Sequence, residues 1–493
     1  MKSLGKMLRS SIENSGYTIY SAANKAGINR TTLQKILSDD RSASQELLSQ
    51  LLPILKLSPS EVKNILDLFE ISQAGESIYR QRRYIKRMLE SLSSFDLLPH
   101  NTKESDQRLL MYQAAVSGYT QQLIHGAFNV EHLLGNLFTK ECLKKDSEIC
   151  VNVPGNLVIL NQFLMNNISD CRQVTNLTIH HITSLVKNPE SSINPLINLD
   201  ILSKILPYTF CDKINYKIYY YYNNEINYDT INYAFPYYII FSNLIVLLNA
   251  DGSTALTIPD PTVLQHFHNL FVESLKHTCD LISDCPTPFG IFDYLSEADK
   301  KQPKQHVIGF QPDFTAFLTE SMLQNYIQPD MKNRTKLIRS ILQRAKQLTH
   351  SEDHVSIFSQ TGLADFIQTG IMSNFIAEYM TPMEKDDRIA ILKSLYDACW
   401  SDKITLRIAN PVVFQISGHV ICNLRSDWGL DFNGYSENDN TFKYLHITEQ
   451  TITEAFADFF KYVMESGLVY TKEETLMEIR NGIGFLNRSE YSS

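Results

Sequence analysis

TIYSAANKAGINRTTLQKILSDDR, residues 18–41, reads as two short helices joined by a tight turn. Thr18 can cap a helix over Ile19–Ala26 by accepting from a free backbone N–H at its start. Gly27 suits a left-handed residue just past the helix end, and Asn29 can cap a second helix over Arg30–Leu37. Ala23, Gly27, Ile28, Leu33 and Ile36 fall at offsets 0, 4, 5, 10 and 13. A helix-turn-helix needs that set: a small residue where two helices cross closely, a glycine in the turn, and apolar residues that seat the second helix. Working outward, Leu4–Asn14 reads as a helix ending near Gly16, and Ser44–Lys56 as an apolar helical segment bent at Pro53. Ser58-Pro59-Ser60-Glu61 is a start signal for a fifth helix, with a serine cap, proline in the first turn and glutamate three residues after the cap. The expectation is an all-α domain of five helices over residues 1–70.

Together with LLPILKLSPSEVKNIL, residues 51–66, this stretch resembles the lambda-repressor/Cro-like (XRE) helix-turn-helix transcriptional regulators, over about residues 3–70. The resemblance implies a third helix lying in the major groove of double-stranded DNA, its N-terminal half toward the base edges. Arg30, Thr31 and Gln34 would then read bases, with Arg30 suited to guanine and Gln34 to adenine. Thr18, Thr32, Lys35 and Arg41 would touch phosphates. The chain departs from the family at Ile19, where a polar phosphate-contacting residue is common. The resemblance also implies a homodimer on paired half-sites.

Charge distribution agrees with such a head. The chain has 493 residues and a formal net charge of −9. Residues 1–90 hold 14 Lys+Arg against 9 Asp+Glu, a net of +5, so the remainder carries −14. A basic head on an acidic body suits a DNA-binding module joined to a body that avoids DNA. Eight scattered cysteines include no C-x-x-C pair, and read as reduced thiols rather than a zinc framework. The N-terminus lacks the apolar core of a signal peptide, and the longest apolar run, near Phe235–Leu248, is too short to span a bilayer. A cytoplasmic protein without a membrane partner is expected.

Residues 71–98 read as a linker or dimerisation helix. Ile71, Ile78, Ile85 and Leu92 lie seven apart, with Met88 and Phe95 three beyond two of them and Gln81 interrupting. Arg80, Arg82, Arg83, Lys86 and Arg87 give it a basic face, which suits either proximity to DNA or a solvated surface.

The remainder alternates helical and strand patterns and reads as a mixed α/β body of two related lobes, about 99–285 and 305–485. Pro236–Ser242 resembles Pro411–Ser417 at a shift of 175, and Leu244–Leu248 resembles Val420–Leu424. Ile258, Thr262, Val263, Phe267 and Phe271 match Ile447, Thr451, Ile452, Phe456 and Phe460 at a shift of 189, which puts the extra residues of the second copy in a polar loop, Asp427–Asn440. Tyrosines at 216, 219–222, 228, 233, 237 and 238 suit either an aromatic strand pair or a ligand wall.

Catalytic signatures are not found: the sequence holds no G-x-S-x-G, P-loop, dinucleotide glycine pattern or H-E-x-x-H, and Gly75-Glu76-Ser77 lacks the second glycine of a nucleophile elbow. His350 and His354 are spaced for zinc on a helix but sit in a polar stretch without a third ligand. His180-His181 and the pair His266/His268 are weaker candidates, the latter two residues apart and so on different helix faces. No catalytic residue, metal or cofactor is expected. The sequence therefore points to a sequence-specific transcriptional regulator whose body senses a small-molecule or peptide effector or mediates oligomerisation. The alternative is an antitoxin-like or protein-interaction component of a bacterial defence system that autoregulates through its helix-turn-helix.

Overall fold

The computed structural model describes residues 3–92, 120–168, 177–189, 194–211, 214–223, 234–284, 294, 297, 300, 304–331, 333–349, 353–373, 379–416, 418, 420–436 and 441–488. The chain divides into two compact units, Met1–Tyr84 and Ile85–Ser493.

The first unit is helical. Its elements are α1 (Leu4–Asn14), α2 (Ile19–Ala26), α3 (Arg30–Leu37), α4 (Gln45–Leu51) and α5 (Pro59–Ala74); α6 (Glu76–Leu92) begins in it and runs past Tyr84. Side chains cap the starts, at Thr18, Asn29 and Ser58 as the sequence suggests and at Ser3 and Ser44 besides. Ser3, Thr18, Asn29, Ser44 and Ser58 each accept from backbone N–H groups of the first turn, and Ser58 with Glu61 closes a reciprocal capping box. A 3-10 turn at Leu52–Ile54, with Pro53 inside it, ends α4. The core gathers Leu8, Ile12, Ala22, Ala23, Leu33, Ile36, Leu51 and Ile65.

The seven-residue spacing that starts at Ile71 does not run along one helix. Gly75 adopts φ +86°, and its amide bonds back to Ile71 to close α5, so Ile71 and Ile78 lie on different helices. Ile85, Met88 and Leu92 are buried within the chain. On its basic face Arg83 pairs with Asp67 (3.1 Å), Lys86 with Glu90 (2.9 Å) and Arg80 with Glu76. Phe95 lies outside the described residues.

The second unit holds a mixed α/β body with two sheets. The first comprises β1 (Gln122–His125), β2 (Ser147–Asn152), β3 (Leu177–Leu185), β4 (Ile214–Tyr222), β5 (Tyr237–Phe241), β6 (Leu244–Leu248), β7 (Thr254–Ile258) and β8 (Cys279–Asp280). Its helices are α7 (Ala127–Cys142), α8 (Val158–Ile168), α9 (Ile197–Phe210) and α10 (Pro261–Leu275). The second sheet comprises β9 (Ser283–Asp284), β10 (Gln305–Gly309), β11 (His354–Phe358), β12 (Thr405–Ile408), β13 (Ile421–Arg425), β14 (Gly429–Ser436) and β15 (Thr441–Ile447). Its helices are α11 (Glu320–Tyr326), α12 (Arg334–Thr349), α13 (Gln360–Thr369), α14 (Lys385–Trp400), α15 (Gln450–Glu465) and α16 (Lys472–Arg488).

Within the two sheets the runs β7-β6-β5-β2-β3-β4 and β15-β14-β13-β10-β11-β12 have the same order. In each, three strands run parallel, and an antiparallel meander attaches to the first of them. Helices connect the parallel strands, as parallel pairing requires a crossover. A helix follows each meander, α10 and α15, at the 189-residue shift read from the sequence.

The 175-residue shift is corrected. Pro411–Ser417 holds no strand among its described residues: Asn410 accepts from Val412 through its side chain and from Phe414 through its carbonyl, making a turn. The topological partner of β5 is β13, so Val420–Leu424 matches the first meander strand rather than the second. Residues 429–436 form β14 instead of a polar loop, with Leu430, Asp431 and Phe432 all buried. Residues 437–440 lie outside the described set. Two further expectations change. His354 opens β11 and is buried, not part of a solvated turn, while His350 lies outside the described residues. Ser283–Asp284 pairs with β15, so the second sheet reaches back past the expected boundary at 285.

Direct bonds join the lobes. Asn198 donates to Thr451 (2.8 Å), the Tyr222 hydroxyl to the Glu449 carboxylate (2.6 Å), and the Lys443 ammonium to the Thr209 and Cys211 carbonyls (3.1 and 2.7 Å). Inside the second sheet, Arg425 and Asp431 form a fully buried ion pair at 2.7 Å, and His446 Nδ1 lies 2.7 Å from the other Asp431 oxygen. Among the described residues no helix is long and apolar enough to cross a membrane.

Candidate nucleic-acid interface

The geometry of α2 and α3 follows from a few residues between them. Thr18 and Ser21 close a capping box at the start of α2. At its end Gly27 takes φ 69° and ψ 22°, and the Ile28 amide bonds back to the Ala23 carbonyl. Two residues later the Asn29 carboxamide accepts from the amides of Thr31 and Thr32 (2.9 and 3.3 Å), starting α3. Ala22, Ala23, Leu33, Ile36 and Leu37 are buried, so each helix lays one face on the core.

The C-terminal end of α3 rests against α1. A Cβ at Gly5 would meet the Ile36 carbonyl oxygen at 2.5 Å, so only glycine permits this approach. The Gly5 amide donates to the Asp39 carboxylate at 3.1 Å. These constraints fix how far α3 stands out from the core.

What α3 presents outward is polar. Arg30, Thr31, Gln34 and Lys35 are exposed, and Thr32 is half-buried. Positions 30, 31 and 34 share a face because residues three and four apart on a helix are neighbours. No side-chain partner ties Thr31, Gln34 or Lys35 among the described contacts, although the Gln34 and Lys35 carbonyls accept from the Ser38 hydroxyl. Arg41 is exposed beyond the helix end, after Asp39 and Asp40; the Asp40 carboxylate is held by the Ser38 hydroxyl at 2.6 Å. Thr18 is exposed, but its hydroxyl accepts from the Ser21 amide (3.1 Å) and lies 3.0 Å from the Ser21 hydroxyl, so a phosphate would have to compete with the capping box for its proton.

Two aromatic residues had no place in the sequence reading. Tyr20, on the first turn of α2, is 59% exposed, and the Arg30 guanidinium lies 5.9 Å from its ring centre. Tyr17 receives a hydrogen bond from the Lys25 ammonium at 2.6 Å, which holds its phenol below the ordinary tyrosine range. Tyr20 precedes Arg30 by ten residues across a turn, so no helical periodicity links them. An exposed aromatic at the start of α2 was the available signal.

In chemical terms the surface offers a guanidinium, a carboxamide and a hydroxyl on one helix face, with a lysine and an arginine beside them. Forked and bidentate donors of this kind match base edges, and point charges match phosphates.

No family model matches the chain, and no curated protein matches it. Among solved structures, TrmBL2, an archaeal chromatin protein described as showing a novel mode of DNA binding, is 16% identical over 45% of this chain and 71% of its own, with a TM-score of 0.22. A polyphosphate kinase from Porphyromonas gingivalis is 10% identical over 74% of this chain and 56% of its own, with a TM-score of 0.21. Phosphatidylserine synthase from Haemophilus influenzae Rd KW20 is 9% identical over 79% of this chain and 98% of its own, with a TM-score of 0.23. At such TM-scores these likenesses carry no argument about fold or function.

Proposed function

We propose that the chain is a sequence-specific DNA-binding transcriptional regulator of the lambda-repressor/Cro-like kind, acting in the cytoplasm. In this reading α2 and α3 form a helix-turn-helix, and α3 enters the major groove. Arg30, Thr31 and Gln34 read base edges, and Thr18, Thr32, Lys35 and Arg41 hold phosphates. The observation that carries it is the exposed face of α3: a row of polar side chains on a helix whose opposite face, Leu33, Ile36 and Leu37, is buried. Tyr20 joins the reading by stacking against the Arg30 guanidinium and restricting where it points.

The two-lobed body acts as a sensor and oligomerisation module. A homodimer would place two heads on paired half-sites. An effector alters DNA binding only by preferring one body conformation over another, and the polar seam through Asn198, Tyr222 and Lys443 is a place where such conformations can differ. No catalytic role is assigned.

Selection of bound duplexes from random DNA tests the function. At fixed, near-physiological salt the wild type enriches a palindromic consensus, and Arg30→Ala/Gln34→Ala weakens or relaxes it. No enrichment by the wild type, with and without cell extract as a source of effector, contradicts the proposal.

A further inference from the structure

One cluster of chemically reactive side chains lies far from α3 in sequence and belongs to the first lobe. Glu148 and Cys150 are two apart on β2, so both project from one face of the sheet. Helix α10 covers that face. Phe271 is buried against Cys150, Ile182, Tyr238 and Ile240, and Val263, Leu264, Phe267 and Leu275 pack around them. His268 lies four residues after Leu264 and three before Phe271, on the turn of α10 that faces the sheet. The fold thus brings His268 to Glu148 and Cys150, with the imidazole nitrogen, the thiol sulfur and a carboxylate oxygen all within 4.8 Å of one another.

We propose that Glu148, Cys150 and His268 form a three-donor binding site for a divalent transition metal ion of the zinc class. The donor set argues for that class. A thiolate and an imidazole favour zinc and its neighbours over magnesium or calcium, which take oxygen ligands. The spacing fits as well. Ligand atoms around a tetrahedral zinc stand roughly 3.3–3.8 Å apart, given metal–ligand bonds of about 2.0–2.3 Å. Cys150 Sγ is 3.7 Å from Glu148 Oε1, and a His268 ring nitrogen lies within 4.8 Å of both. Three protein donors leave a fourth position for water or an exogenous ligand.

The surroundings support the ligands. His180 Nε2 lies 3.6 Å from Glu148 Oε1, and its Nδ1 lies 3.1 Å from the Tyr219 hydroxyl, with the two rings stacked. This chain of contacts positions the Glu148 carboxylate, as partners behind a ligand commonly do. Burial and the adjacent Glu148 charge push the Cys150 thiol up to about 12, so without a cation it stays protonated and inert. Metal binding releases that proton to solvent as the sulfur–metal bond forms, and affinity therefore rises with pH. A bound ion would fasten α10 to β2. The sequence alone set aside both histidine pairs; the fold draws one member from each, His180 and His268, to the same carboxylate.

Cobalt(II) is the probe. The full-length protein, stripped with a chelator, is titrated with Co2+, and the near-ultraviolet thiolate-to-cobalt charge-transfer band is read. The wild type should bind one equivalent, show the band, and lose it on addition of Zn2+. Cys150→Ser should abolish the band. His268→Ala, at a half-buried helix position that needs no core repacking, should weaken Co2+ binding about tenfold or more. Cys279→Ser, at an exposed cysteine elsewhere, should leave the titration unchanged. The proposal is overturned by a wild type without the band, by a band that survives Cys150→Ser, or by His268→Ala binding as the wild type does.

Discussion

The guanidinium of Arg30 sits 5.9 Å from the centre of the Tyr20 ring, so a residue at the start of α3 is braced by one at the start of α2. Exposed cation–π pairs of this kind stabilise by about 0.5–1 kcal/mol, too little to matter for folding but enough to narrow the rotamers of a long side chain. Tyr20→Ala should therefore leave the melting temperature nearly unchanged. It should weaken binding to the selected DNA site several-fold while affecting non-specific duplex less. Equal loss on both duplexes would show that Tyr20 contributes general affinity and does not position Arg30.

In the proposed function Lys35 holds a phosphate, and its substitution should have a different signature from that of Arg30. A lysine that neutralises one phosphate releases about one counterion. Lys35→Ala should weaken all duplexes alike and reduce the slope of log affinity against log salt by about 1. An unchanged slope places Lys35 away from the DNA backbone.

Gly5 and Gly27 should fail for different reasons when replaced by alanine. Nothing lies near a Cβ at Gly27, so the penalty there is the left-handed backbone alone, about 1–2 kcal/mol. At Gly5 the new Cβ would stand 2.5 Å from the Ile36 carbonyl oxygen, and α1 must move away from α3. Denaturant unfolding should rank Gly5→Ala as the more destabilising. It should also weaken DNA binding, because α3 shifts with its support. The reverse ranking contradicts the close approach of α1 to α3.

His181 supplies a pH dependence in the body. It is fully buried, bonded to the Tyr216 hydroxyl and the Val153 carbonyl, and burial lowers its pKa from 6.5 to about 4. Between those values the unfolded chain binds a proton that the folded one refuses. The contribution to stability is complete above pH about 6.5 and declines as pH falls toward about 4, by about 3 kcal/mol at most. His181→Phe should flatten that part of the stability profile of the body, whatever its effect at pH 7. A profile as steep as the wild type's assigns the acid sensitivity to other groups.

The buried pair Arg425–Asp431 should be intolerant of losing one member. Asp431→Ala leaves a guanidinium without its carboxylate in the sheet interior, and removing one partner of a buried ion pair costs about 3–5 kcal/mol. Reduced soluble yield or a marked fall in unfolding midpoint is expected. A midpoint within a degree or two of the wild type's means that water reaches the site.

How much of this was legible beforehand depended on whether the signal was local. The boundaries of α2, α3 and the start of α5 were readable because Thr18, Gly27, Asn29 and Ser58 act on groups two to four residues away. The break at Gly75 is hidden by a seven-residue apolar spacing that runs through it, although a glycine before Glu76 is a stop signal. In the body, Asp431 and Asn433 mask the alternation of Leu430 and Phe432 that makes β14 a strand and not a polar loop. An ion pair buried across one sheet makes that polarity tolerable, and its partner Arg425 lies on the neighbouring strand. The common strand order of the two sheets shows in the sequence where the helices after each meander align, whereas Pro411 imitates Pro236 without opening an equivalent strand. Glu148, Cys150 and His268 were illegible as a group, because the register of β2 and the packing of α10 bring them together across more than a hundred residues.

The central claim is that Arg30 reads a base. The most direct test is the affinity of wild type and Arg30→Ala for the selected site and for its single-base variants, at one salt concentration. Wild type should discriminate at every position of the half-site. Arg30→Ala should lose about 1–3 kcal/mol of discrimination at one position, a guanine, and keep it elsewhere. If Arg30→Ala instead lowers affinity for all variants by the same factor, or leaves the discrimination pattern intact, α3 does not read DNA through Arg30 and the account of this helix fails.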